Sequence, residues 1–253
     1  MRLIAKRSKQ PVSGGDHRRI ANAHYGHQGH YSFIRCCHVS PFAVITLFIS
    51  LLIATPSWSV ELATDDFNRA DANPIGGNWT TIPGGPGDLQ IISNKLSGTT
   101  TSQRNGAYNV TAVGDDQYSQ GTILGGTGTD GPCPAVRVSA VDETFYAFCP
   151  VDIGGDAFDL YKRVAGVYTS LDTQFATWAP GDVIRIEAQG TTIRGYIGGA
   201  LVASQTDSAI TTGQFGILIN TSGTLSQTEF DDWSGGDFAP PASGADFFAR
   251  RRN

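Results

Sequence analysis

The sequence predicts an all-β fold, a two-sheet antiparallel jelly-roll sandwich, and three observations carry that expectation. From Gly181 to Ile219 the chain runs Gly-Asp-Val-Ile-Arg-Ile-Glu-Ala, a Gln-Gly turn, Thr-Thr-Ile-Arg-Gly-Tyr-Ile, a Gly-Gly turn, Ala-Leu-Val-Ala-Ser and Gly-Gln-Phe-Gly-Ile-Leu-Ile. Alternation of apolar and polar residues with a period of two marks strands with one buried face. The 31 Gly and 12 Pro are available for turns. No segment carries the 3.6-residue period of an amphipathic helix.

The remaining elements follow in order. Asp65-Asp-Phe-Asn-Arg opens the domain, and Asn78-Trp-Thr-Thr-Ile follows a Pro-Ile-Gly-Gly turn. Leu89-Gln-Ile-Ile-Ser and Lys95-Leu-Ser flank a turn at Asn94, and Tyr108-Asn-Val precedes Gln117–Leu124. A glycine-rich loop covers Gly125–Gly131, and a hairpin over 136–151 leads to Ala157–Lys162 and Val167–Leu171, joined at Ala165-Gly166. After the Gly181–Ile219 meander, Leu225–Trp233 closes the fold. This makes about 13 to 14 short strands, the spacing of a sandwich or jelly roll.

Charge divides the chain. Residues 1–59 hold seven Lys/Arg and one acid, and residues 60–253 hold 11 Lys/Arg against 22 Asp/Glu, a net charge of −11. All five histidines (His17, His24, His27, His30, His38) lie in the basic part. Once that leader is removed, Ser-His-Asp and Cys-His catalysis and His-ligated zinc or copper are excluded. An acidic surface also argues against nucleic acid, which is bound by neutralising phosphates; Arg250-Arg251-Arg252 is the exception.

After Pro41 comes an apolar run of about 13 residues, shorter than the roughly 20 needed to span a bilayer. Ser57-Trp58-Ser59 then offers a small-x-small cleavage site. The expectation is a leader with a signal-type helix over 1–59, a domain over 60–238 and a flexible tail over 239–253, secreted to the periplasm or outside the cell. An uncleaved anchor is the alternative. Cys36 and Cys37 precede the apolar run and so are not lipoprotein cysteines. Cys133 and Cys149 flank the hairpin. A turn at Asp142-Glu143 sets Cys149 opposite Val136, with Cys133 three residues beyond, close enough for a disulfide if the strand end curls over. An oxidising compartment favours that bond, worth about 3 kcal/mol for a loop of this size; two buried thiols are the alternative.

Asp66-Phe-Asn-Arg-Ala-Asp with Gly77-Asn-Trp, Leu160-Tyr-Lys, Gly181-Asp-Val-Ile-Arg-Ile-Glu, Ile193-Arg-Gly-Tyr-Ile-Gly-Gly and Phe230-Asp-Asp-Trp together resemble the concanavalin A-like lectin/glucanase superfamily. The pattern is most similar to the laminin-G-like jelly rolls of secreted bacterial and phage proteins. It covers residues 65–237, with Gly198-Gly199 where that family commonly has Asn-Gly. The resemblance implies a fold that hosts lectins, adhesins, hydrolases and virion parts, so function has to be argued from sites.

Glucanases of the superfamily need closely spaced carboxylates, and retaining chemistry sets them about 5–5.5 Å apart. The nearest approximation, Glu229-Phe-Asp231-Asp232, lacks the second glutamate. The resemblance implies adjacent first and last strands, which would bring Asp65 and Asp66 near Asp231 and Asp232, an oxygen set suited to structural calcium. Asp115-Asp116 is a weaker candidate, and turn capping is the alternative for both groups. For a ligand face, alternation directs Arg185, Glu187, Arg194 and Tyr196 away from the core, and likewise Arg137, Asp159 and Tyr161. Such groups suit a sugar, with rings for C–H faces and charges for hydroxyls. The competing reading is a cross-strand ion-pair ladder, with Arg185 facing Arg194 across a Gln189-Gly190 turn. Asn78-Trp-Thr, Asn109-Val-Thr and Asn220-Thr-Ser match the glycosylation acceptor pattern. The expected function is a non-catalytic carbohydrate-binding or adhesive module. A structural part of an appendage, surface layer or phage particle, with self-assembly, and a glycoside hydrolase are the alternatives.

Overall fold

A computed structural model describes residues 59–238 apart from 102, 126–130, 153–155 and 222–228. The leader and the C-terminal tail expected from the sequence lie outside the described residues. Among the described residues, fifteen strands follow in chain order: β1 Ser59–Asp65, β2 Trp79–Thr81, β3 Leu89–Ile92, β4 Lys95–Gly98, β5 Gln103–Asn109, β6 Gln117–Gly125, β7 Gly131–Val138, β8 Phe145–Asp152, β9 Asp156–Val164, β10 Val167–Phe175, β11 Val183–Gln189, β12 Thr192–Ile197, β13 Ala200–Thr206, β14 Gln214–Thr221 and β15 Glu229–Phe238. They form two antiparallel sheets. Sheet A runs β13-β12-β11-β6-β15-β4-β3 with β1 on β15, and sheet B runs β10-β9-β8-β7-β14-β5-β2.

The alternation explains the layer between the sheets. Ile184, Ile186, Ile193 and Ile197 of sheet A meet Phe148, Phe158, Leu160 and Ile217 of sheet B in one buried cluster. Two glycines make this packing fit. A Cβ on Gly195 would lie 2.6 Å from the Phe148 ring, and one on Gly121 would lie 2.3 Å from the Phe230 ring. At one end Trp79, Phe215 and Trp233 pack edge to face, Trp233 lying 4.6 Å from Trp79 and 5.3 Å from Phe215.

Sheet B is buried on its outer side as well. Cys133, Ala135, Phe145, Ala147, Cys149, Tyr161 and Leu218 form a second apolar cluster there with Ile82. The cause is local sequence: Cys-Pro-Ala-Val and Phe-Tyr-Ala-Phe-Cys-Pro-Val are near-continuous apolar runs, the mark of a strand covered on both faces. A strap from Ile82 to Gly87 lies over this side. Ile82 N–H donates to the Gly106 carbonyl (3.0 Å), Gly106 N–H donates to that of Gly87 (3.1 Å), and Gly84 sits against Glu143.

Three expectations change. The 136–151 hairpin pairs Ala135 with Ala147 and Val136 with Tyr146, so the same register sets Cys133 opposite Cys149 without any curling. The disulfide spans a Cα separation of 4.6 Å, the close approach of a non-hydrogen-bonded antiparallel pair. It joins β7 to β8 where Pro132 and Pro134 have no N–H to give the ladder. Second, the turn between β11 and β12 falls at Gly190-Thr191, which pairs Arg185 with Tyr196 and Glu187 with Arg194. Third, β5 and β7 begin earlier than expected, because Gln103–Gly106 and Gly131–Pro134 do not alternate cleanly.

Candidate functional site

The seven candidate ligand residues do not share a face. Arg185, Glu187, Arg194 and Tyr196 point outward from sheet A, whereas Asp159 and Tyr161 point outward from sheet B, on the far side of the sandwich. Alternation gave the correct side of β9, β11 and β12 but not the sheet to which each belongs.

On sheet A the side chains satisfy one another. Arg185 donates from Nε to Glu187 Oε1 (2.7 Å) and from Nη1 to Gln120 Oε1 (2.8 Å), while its guanidinium lies 3.8 Å from the centre of the Tyr118 ring. The Tyr196 hydroxyl donates to Glu187 Oε2 (3.0 Å), and Arg194 donates to Gln189 Oε1 (2.8 Å). Burial, followed by the Glu187 charge, pushes the Tyr196 phenol up to about 12. A hollow of about 280 Å³ lies among Gln120, Arg185, Glu187 and Tyr196. The ion pair here lies within β11, from Arg185 to Glu187, and the links between strands are hydrogen bonds, in the register set by the Gly190-Thr191 turn.

Arg137 faces no ligand. It is 2% exposed and sits at a bulge with φ +53°. Its guanidinium donates to the carbonyls of Asp115, Ile210 and Gly190 at 3.0, 2.9 and 2.7 Å, which ties three loops together. Asp116 accepts from Gly190 N–H (2.6 Å) beside it, so this acid caps a turn.

The outer face of β9 and β10 is organised differently. Asp159 is buried and accepts hydroxyl protons from Tyr168 (2.5 Å), Ser170 (2.6 Å) and Thr173 (2.9 Å), all on edge strand β10. Phe175 pairs with Ala157, two residues beyond the Thr173–Asp159 pair, and so shares their face. Phe175 is 71% exposed and Tyr168 51%. Tyr161 is buried beneath, its ring 5.1 Å from that of Tyr168 and 6.1 Å from that of Phe145. Burial pushes the Tyr161 phenol well above its ordinary value, and burial with the Asp159 hydrogen bond pushes Tyr168 up to about 12. Next to Tyr161, Glu143 accepts from Arg104 Nε (3.0 Å) and from Arg163 Nη1 (2.8 Å).

Pairing of β1 with β15 does bring the proposed calcium acids close, and Glu61, Asp65, Asp66 and Asp232 border a hollow of about 480 Å³. The oxygens of Asp65 are already engaged. Asp65 accepts from both guanidinium ends of Arg69, from Trp79 Nε1 (2.8 Å) and from Phe67 N–H (2.9 Å). Asp66 accepts from Asn68 N–H, and Asp231 from Asp232 N–H. Among the described residues, no three His, Cys, Asp or Glu side chains converge as a metal-binding set. Burial, then the Asp232 and Asp66 charges, holds the Asp231 carboxyl above its ordinary value.

No protein-family model matches the sequence, and no curated protein matches it. Solved structures do. A point mutant of the GH43 protein BlXynB from Bacillus licheniformis superposes with a TM-score of 0.52 at 13% identity, over 69% of this chain and 39% of that one. The fold is a concanavalin A-like jelly roll. Carbohydrate-binding module CBM66 from Bacillus subtilis is similar at a TM-score of 0.47 and 19% identity, over 64% of this chain and 92% of that one. The Ca2+/Man3GlcNAc-bound VIP36 exoplasmic/lumenal domain gives 0.49 and 10%, over 68% and 88%. This jelly roll spans about two fifths of the GH43 protein's length.

Sequence reasoning missed Arg104, Glu143, Arg163, Tyr168, Ser170, Thr173 and Phe175 in this jelly roll. Tyr168 and Phe175 carried a usable sign: large rings on a strand whose other residues are mostly polar. Arg104 and Glu143 carried none, because their meeting depends on β5 and the Ser139–Thr144 loop lying at the same end of sheet B. Of the acceptor-pattern asparagines, Asn78 is exposed in a turn, and Asn109 is buried with Oδ1 capping Thr111 N–H.

Proposed function

We propose that the chain is an exported, non-catalytic glycan-binding module whose contact surface is the β9–β10 strip of sheet B. The observation that carries this reading is the pairing of two exposed rings, Tyr168 and Phe175, with a row of hydroxyls organised by one buried carboxylate. Exposed aromatics offer apolar faces to sugar C–H groups, and the Ser170 and Thr173 hydroxyls supply polar contacts between them. Six residues of strand lie between the two rings, roughly 20 Å of extended chain, room for more than one sugar ring. Binding without hydrolysis is supported by the state of two acids near this strip. The Glu143 oxygens are held by arginines and those of Asp159 by hydroxyls, so neither is free to act as acid or nucleophile. Export is supported by the buried Cys133–Cys149 disulfide, a bond that persists in oxidising compartments, and by the apolar run after Pro41.

The test is a glycan array followed by titration of the best ligand. Tyr168→Ala and Phe175→Ala should each weaken binding by about tenfold, the equivalent of about 1.4 kcal/mol for a lost stacking contact. The melting temperature of Phe175→Ala should stay near wild type, since that ring is mostly exposed, whereas Tyr168→Ala also takes a donor from buried Asp159 and should lower it. Absence of any bound glycan, or wild-type affinity in both variants, overturns the proposal.

A further inference from the structure

We infer that the glycan carries a carboxylate, and that the Arg104–Glu143–Arg163 cluster at the Tyr168 end of the strip is the subsite that receives it; this rests on the glycan reading above. The cluster has more donors than acceptors. Glu143 takes Arg104 through Nε (3.0 Å) and Nη2 (2.9 Å) and Arg163 through Nη1 (2.8 Å). Each guanidinium has five N–H groups. Arg163 gives a further bond to the Gly166 carbonyl, but its Nε is buried with no acceptor. Among the described residues, Glu143 is the acceptor of Arg104, whose side chain remains 30% exposed.

Neighbouring groups fit the same ligand. Asn220 lies directly across from Arg104 in the β14–β5 register, and its buried Oδ1 has no partner. Tyr161 lies in the field of both arginines, and Tyr168, whose ring is tilted 43° against that of Tyr161, lies in the field of Arg163. The ring that holds a sugar and the guanidinium that holds its acid group are therefore neighbours.

Electrostatics select the kind of acid. Two guanidiniums and one carboxylate leave the cluster with a single positive charge, on a domain whose residues 60–253 carry 11 Lys/Arg against 22 Asp/Glu. A densely charged polyanion would be repelled by the rest of that surface. An isolated carboxylate, as on a uronic-acid residue in a mostly neutral chain, meets only the local charge. Glu143 acts as a positioning residue: it fixes both guanidiniums before the ligand arrives, so less side-chain freedom is lost on binding.

The experiment uses a panel of uronate oligosaccharides, each beside its carboxyl-reduced neutral counterpart, titrated into the full domain. The acid form should bind about tenfold more tightly, as expected for a charge-assisted hydrogen bond, and the preference should shrink as salt rises. Arg104→Gln should remove the preference, and Arg104→Lys should restore part of it. Equal binding of acid and neutral forms, or an unaltered preference in Arg104→Gln, overturns this inference while leaving the glycan reading intact. Binding of neither form overturns the glycan reading, and the carboxylate subsite falls with it.

Discussion

Replacing Asp65 with alanine should destabilise the domain by about 3 kcal/mol, through aromatic packing and with no metal involved. The carboxylate is the acceptor for the Trp79 indole N–H (2.8 Å) and caps Phe67 N–H (2.9 Å). Trp79 is buried between Phe67 and Trp233, so its orphaned N–H would cost about 1–3 kcal/mol. Loss of the Phe67 cap adds about 1 kcal/mol. The Arg69 pair adds less than about 0.5 kcal/mol, because the Arg69 side chain is 37% exposed and well screened. For a domain of this size, about 3 kcal/mol corresponds to a melting point lowered by about 6–12 °C. Asp65→Asn keeps one acceptor oxygen and should cost about half as much. Urea titration followed by tryptophan fluorescence measures both, with chelator and with added calcium. A loss under about 1 kcal/mol in Asp65→Ala would refute the anchoring argument. A wild-type midpoint that rises with calcium, and ceases to do so in Asp65→Ala, would show that the carboxylate serves a cation.

Three further outcomes are expected. Burial pushes the Asp207 carboxyl up, but bonds from Lys162, Tyr146 and Ala209 N–H outweigh it and hold the group below its ordinary value. A depressed folded-state value contributes stability that is present above the unfolded value and lost as pH falls through the folded one. Asp207→Asn should therefore lower the denaturant midpoint at neutral pH by more than in strong acid, and an equal deficit at both would count against it. Gly195→Ala should destabilise by about 1–3 kcal/mol, as an overpacked core does, because the new Cβ meets the Phe148 ring at 2.6 Å; a neutral result would mean that the ring can shift. Intact mass of exported protein should give a chain beginning near Val60, and retention of residues 1–59 would overturn export by cleavage.

What the sequence disclosed follows from the range over which each constraint acts. Alternation is local, so the buried set Ile184, Ile186, Ile193 and Ile197 was legible, as was the outward direction of Arg185, Asp159 and Tyr161. Register depends on which residues turn, and a Gly-Thr turn in place of Gln-Gly moved Arg185 from opposite Arg194 to opposite Tyr196. A similar displacement hid the direct Cys133–Cys149 pairing. Sheet membership is less local again. Strand β11 pairs with β6, far back in the chain, while β9 pairs with β8 and β10. Nothing in their own residues separates them, and this is why the single expected face became two.

The two outer faces also show why polar composition alone does not identify a binding surface. On sheet A, Glu187 accepts from Arg185 and Tyr196 while Gln120 accepts from Arg185. A ligand there would have to replace bonds already made, so its net gain per contact would be small. On sheet B the strap from Ile82 to Gly87 and the Ser139–Thr144 loop cover β5, β7 and β8, and β9–β10 lies beyond the strap's described contacts. Asp159 organises the hydroxyls there without using the rings of Tyr168 and Phe175, which remain open to solvent. A ligand on this strip would bury apolar ring surface and find the 30% exposed Arg104 side chain near it. An exposed guanidinium and open rings, more than the number of polar residues, distinguish the strip from the outer face of sheet A.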